Sequence, residues 1–172
     1  LFPADKQYVG NFAKRKSAVT DVIFEHFDKQ EIRVLAQAPV LVFLLISAAD
    51  GVIDKREIKS FASLLTAPPY SVLLSVMARA RLSLVDALRQ LTENPVDYWE
   101  ELQHINRVLE RGLPSALAQQ IKLQLYELGW HVAASSGHSP EEVDNNICRQ
   151  EGTALKVIAG IFGIDERHRE SG

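Results

Sequence analysis

Cysteine is all but absent from this chain, Cys148 being the only one in 172 residues. One thiol closes no intrachain disulfide and builds no cysteine zinc site, and such usage fits a reducing compartment. An excess of either charge is also missing. Nineteen Lys and Arg stand against 22 Asp and Glu, so the net charge is −3 and the pI about 6.0. A nucleic-acid-binding domain carries a basic excess, and nucleic acid is therefore not expected as a partner. The one dense basic cluster, Lys14-Arg15-Lys16, reads as a solvated face.

Long hydrophobic runs are lacking as well. The longest, Val34 to Ala49, is interrupted by Gln37 and Pro39 and falls short of the roughly 20 residues that cross a bilayer. It reads as a buried core helix, and no membrane insertion is expected of this stretch. No positively flanked apolar segment near the start reads as a signal peptide. The expected location is cytoplasmic; a peripheral membrane attachment would need a segment outside this sequence. No segment alternates as a strand. Glycine-rich phosphate loops, serine elbows and the Glu-flanked histidine pair of hydrolytic zinc sites are all absent. Hydrophobic residues make up 47% of the chain, too many for disorder.

What is present is helical periodicity from end to end. Val34, Leu35, Ala38, Leu41, Val42, Leu45, Ile46 and Ala49 follow three-and-four spacing. Pro39 removes a backbone donor and disfavours helix just before it, which predicts a helix start near Pro39. Ile58, Phe61, Ala62 and Leu65 form the next apolar face, stopped by Pro68-Pro69. Tyr70 to Arg81 reads as a helix, and Ser83-Leu84-Val85-Asp86 opens a short one through Leu91. Asn94-Pro95 predicts a cap with proline at the first helical position, leading through Trp99, Leu102, Ile105 and Leu109 to Gly112. Pro114 starts a long helix with Leu117, Ile121, Leu125, Leu128 and Val132, closed by Ser136-Gly137. Ser139-Pro140-Glu141-Glu142 is a second start signal. The last helix carries Ile147, Leu155, Ile158, Ala159 and Phe162, and Gly163 suits its left-handed end. The fold class is all-α, a compact array of seven to nine helices in a single domain spanning 1–172.

The segment richest in chemistry is Ser47-Ala48-Ala49-Asp50-Gly51-Val52-Ile53-Asp54-Lys55-Arg56-Glu57. Asp-Gly breaks one helix, and Asp54 with Glu57 forms a capping box for the next. Three carboxylates thus crowd one joint. The order also matches the second half of an EF-hand loop, but Ile46 and Ala48 occupy the first ligand positions and cannot coordinate through their side chains. A partial echo follows in the second half: a long apolar helix ends Ala133-Ala134-Ser135-Ser136-Gly137, and Glu151 leads into Ile158-Ala159-Gly160-Ile161-Phe162-Gly163-Ile164. The chain reads as an N-terminal lead-in (1–33), two related halves (34–66 and 117–165) and middle helices (70–112).

On these residues the chain resembles the tellurite-resistance TerB-like family. The carrying motifs are Ala48-Ala49-Asp50-Gly51-x-Ile53-Asp54-x-x-Glu57 and, less specifically, Ser136-Gly137 with Glu151 and the Ile158–Ile164 run. The resemblance implies two pseudo-symmetric helical halves and acidic residues from both corners gathered on one side. The implied metal ligands are Asp50, Asp54, Glu57 and Glu151, taking a divalent cation such as calcium or magnesium. Ser136 replaces the acid the second corner should carry, so the set is one carboxylate short. The family also implies an accessory role in bacterial stress responses.

The expected function is a non-enzymatic helical interaction module with a protein partner. The alternative is a weak divalent-cation sensor or carrier that uses the acidic corner. A third reading places a small molecule between the halves, lined by Phe43, Trp130 and Phe162. His138 beside the second corner could act as a pH-sensitive partner of an acidic cluster, and Cys148 has no recognisable catalytic partner. Tyr98, Trp99 and Trp130 read as core packing, with a partner-binding groove as the sharper option.

Overall fold

The computed structural model describes residues 18–49, 53, 55–135, 147 and 149–165. Every regular element among them is helical, in line with an all-α array of seven to nine helices. Residues 18–26 form α1. It is followed by α2 (Lys29–Ser47), α3 (Lys55–Thr66), a 3-10 turn (Pro68–Tyr70), α4 (Ser71–Arg79), α5 (Leu84–Glu93), α6 (Tyr98–Gly112), α7 (Ser115–Ser135) and α8 (Arg149–Phe162).

The centre of the array is α2, which touches α4, α5, α6, α7 and α8. Its start lies ten residues ahead of Pro39, not near it as the proline suggested. Asp28 caps it: Oδ1 accepts the amides of Gln30 and Glu31, each at 2.8 Å, and Glu31 returns the bond to the Asp28 amide at 3.0 Å. This reciprocal box satisfies amides that helix geometry leaves orphaned. Pro39 sits inside the helix. Its ring cannot donate to the carbonyl one turn back, a cost of about 3 kcal/mol in an isolated helix. Burial on both sides of it outweighs that loss: Ile32, Leu35 and Ala36 before the proline, and Val40 to Leu44 with Ile46 after it, all lie in the core. Each large aliphatic or aromatic side chain so buried is worth about 1.5–3 kcal/mol.

By length and mean hydropathy (1.4) α2 meets the criterion for a membrane-crossing helix, yet 67% of the relevant window is buried against the other helices. Phe43 stacks on Phe61 of α3 with centroids 4.5 Å apart and planes at 15°. Phe162 closes the same core from α8.

The other joints show which local signals prevail. Ser83 caps α5 as its sequence predicts, taking the Asp86 amide at 3.0 Å. At the next joint the expected Asn94-Pro95 start does not form. Asn94 instead ends α5, and Asp97 begins α6 by accepting the amides of Trp99 and Glu100. A carboxylate next to two free amides outbids a proline two residues upstream, because only the carboxylate satisfies orphan donors. Gly163 takes the left-handed conformation that its place after α8 predicts (φ 64°), with Ile164 N–H donating to Ala159 O. Arg81 does the same work after α4 without glycine's freedom, at φ 53°. Its amide donates to Ala78 O and that of Leu82 to Met77 O, both at 3.0 Å.

Candidate functional site

Of the four predicted metal ligands, Asp50 and Asp54 lie outside the described residues, as do His138 and Cys148. Glu57 and Glu151 each occupy the first turn of a helix, α3 and α8, where an acid complements the helix dipole. Glu57 is half-buried; Glu151 is 2% exposed and engaged in interactions there. Enclosing a carboxylate so fully requires such partners. Both helices pack against α7, α3 from one pairing and α8 from another. Among the described residues no three His, Cys, Asp or Glu side chains gather into a metal-holding group.

Phe43, Trp130 and Phe162, the expected lining of a pocket between the halves, all pack into one apolar core. Phe43 and Phe162 are fully buried in the continuous core, and Phe43 spends its face on Phe61. The internal void among Ile23, Leu35, Val72, Leu109, Ile121 and Leu125 is about 10 Å³ and apolar, at the limit for one water molecule and without groups to hold it.

A groove between α3 and α7 is lined by Lys59, Ser60, Ser63, Leu64, His131 and Ser135, among others. Two of its hydroxyls are turned to the backbone: Ser63 donates to Lys59 O at 3.0 Å and Ser135 to Val132 O at 2.9 Å. The His131 ring packs edge-on against Tyr70 (6.3 Å) and Trp130 (5.3 Å). No hydrogen bond joins His131 to a serine hydroxyl among the described residues, whereas an activated nucleophile needs hydroxyl and base within hydrogen-bond reach.

Lys122 of α7 is the one described lysine or arginine sunk in the core, at 4% exposure. Its Nζ donates to Glu110 Oε1 of α6 at 2.6 Å. That hydrogen bond, with the Lys122 charge behind it, holds the Glu110 carboxyl below the ordinary carboxylate value. The pair bolts α6 to α7 and reads as architecture.

Two surface features remain, and sequence reading undervalued both. Trp99, expected in the core, is 45% exposed at the start of α6, and Val96 just before the helix is 37% exposed. The cause is helical spacing: Leu102, Ile105, Val108 and Leu109 form the buried stripe of α6, and Trp99 lies to one side of it. The second feature is a cleft of about 630 Å³ between α1, α2 and the end of α4, lined by Phe24, Phe27, Lys29, Ile32, Arg33, Arg79, Ala80 and Arg81. Its four cations come from positions some fifty residues apart (29 and 33, then 79 and 81), so no basic run announces them.

Compared with family models, curated proteins and solved structures, the chain matches none.

Proposed function

We propose that this chain is a non-enzymatic helical interaction module of the TerB-like kind, an accessory domain of a bacterial stress response that works by docking a protein partner in the cytoplasm. The observation that supports this most is the exposed Trp99. Tryptophan is among the costliest side chains to leave in water and among the commonest anchors of protein interfaces. Val96 stands within one turn of it, and Asp97, Glu100 and Glu101 surround its place in the sequence. An apolar knob with an acidic rim suits a partner that offers an apolar pocket bordered by lysine or arginine.

The test compares wild-type and Trp99→Ala baits matched for melting temperature. A basic-rimmed partner retained by the first and lost by the second supports the module. Identical retained sets, or none, overturn it. The ion-sensor alternative keeps Asp50, Asp54, Glu57 and Glu151 as its ligands. Calorimetric titration with calcium or magnesium separates the two readings: heat that saturates at sub-millimolar ion favours the sensor.

A further inference from the structure

Among the described residues, four cations and no carboxylate line the cleft between α1, α2 and α4, in a chain whose net charge is −3. None of Lys29, Arg33, Arg79 and Arg81 makes a salt bridge to a described carboxylate. The acids closest in sequence are committed elsewhere. Asp28 spends Oδ1 on the amides of Gln30 and Glu31, while Glu31 accepts from the Asp28 amide and from Arg111 of α6. Like charges that share a recess repel one another, and four held together without a counter-charge among the described residues complement a ligand that brings one.

One of the four, Arg79, is anchored by an aromatic ring. The Arg79 guanidinium lies 5.2 Å from the centre of the Phe24 ring, a cation–π contact that restricts it to the rim of the cleft. Arg81 is held at φ 53°, a left-handed conformation in which glycine would be free of strain. Beneath the charges lies a floor of Phe24, Phe27 and Ile32. The volume, about 630 Å³, falls in the range of small-ligand sites.

We propose that this cleft binds a small molecule carrying two or more adjacent phosphates, its body resting on the Phe24–Phe27–Ile32 floor. A single carboxylate would neutralise only one of the four cations. A diphosphate or a pair of neighbouring phosphates matches them, with three guanidinium forks each able to take two oxygens and Lys29 acting as a point charge. Free diphosphates and the multiply phosphorylated headgroup of a membrane lipid share this chemistry. The inference stands apart from the Trp99 reading, since Trp99 does not line the cleft.

The full chain is titrated with inorganic pyrophosphate by calorimetry, and floated with phosphatidylcholine vesicles that contain or lack phosphatidylinositol 4,5-bisphosphate. The variants are Arg33→Gln, Arg81→Gly and their combination, with the exposed Lys55→Gln as control. Arg81→Gly removes a cation while relieving its backbone, so its melting temperature holds or rises even as binding falls. Expected is saturable one-to-one binding, weakened about 3- to 10-fold by each single variant and further by both, with the control unchanged. Pyrophosphate binding identifies a soluble diphosphate ligand, and binding only to the phosphoinositide vesicles identifies a headgroup. The proposal is overturned if neither probe binds, if the double variant binds as wild type does, or if Lys55→Gln weakens binding equally.

Discussion

Replacing Glu110 with glutamine should destabilise the protein even though Glu110 itself is largely in water. The reasoning starts from Lys122, whose side chain is 5% exposed while that of Glu110 is 58% exposed. Removing the charge of Glu110 leaves an enclosed ammonium facing a neutral amide. Breaking a fully buried pair costs about 3–5 kcal/mol, and an exposed pair is worth about 0–1. One partner on each side of that divide, with a lysine stem able to bend partly outward, gives about 1–3 kcal/mol. For a chain of this length that lowers the melting temperature by roughly 2–12 °C.

The second arm is Lys122→Met. It keeps the packed stem and removes the enclosed charge, so it should be neutral or stabilising, and Glu110→Gln should cost almost nothing on that background. The pH dependence follows from the lowered Glu110 value. A carboxyl whose folded pKa is depressed contributes fully above its unfolded value and loses that contribution as pH falls through the folded one. The gap between wild type and Glu110→Gln should therefore be constant from neutrality down to about pH 5 and close below the ordinary value of 4.5. Urea unfolding of the four proteins at pH 7 and at acid pH reads all of this. If Lys122→Met costs as much as Glu110→Gln, the ammonium stabilises the fold in its own right and the reasoning is wrong.

Gly112→Ala should cost about 1–3 kcal/mol by chemical denaturation, because a Cβ there would run into the buried Phe27 ring that packs on the end of α6. Gly152→Ala and Gly160→Ala should each raise stability by about 0.5–1 kcal/mol, since both lie inside α8 and a Cβ at either meets nothing within 4 Å; a loss in either variant would contradict the open space seen there. Asp28→Ala removes the carboxylate that accepts the Gln30 and Glu31 amides, leaving only the Glu31 bond to the residue 28 amide, and should cost about 1–2 kcal/mol, with amide exchange rising first in residues 30–33.

The parts of the fold that were legible in the sequence are those decided within a few residues. Ser83 and Asp86 make a start for α5, and Gly163 makes an end for α8, through bonds that span three to five positions. The apolar stripe of α2 was readable too, but its first three turns were not. Asp28 and Glu31 carry a start signal as plain as any, yet Pro39 drew the boundary to itself, and only packing on both faces shows why the helix runs through. Asn94-Pro95 misled in the same way, a favourable pair overruled by a better cap at Asp97. The surface was least legible. Trp99 lies beside the stripe of Leu102, Ile105 and Leu109 and not within it, and whether a flanking position is covered depends on neighbouring helices that local spacing does not show. The basic cleft exists only because α4 ends beside the beginning of α2, a long-range fact that no local spacing carries.

The central place of α2 has a consequence for the protein as it is being made. This helix is complete by Ser47, but two of the helices that cover it, α7 and α8, begin at Ser115 and Arg149. At ribosomal speeds of about 5–20 residues per second, the last covering helix follows by roughly 5–20 seconds. For that interval the nascent chain displays a 19-residue apolar helix long enough to be taken for a membrane span. Pro39, in the middle of that segment, weakens it as a free-standing helix, so the helix depends on partners that are made later.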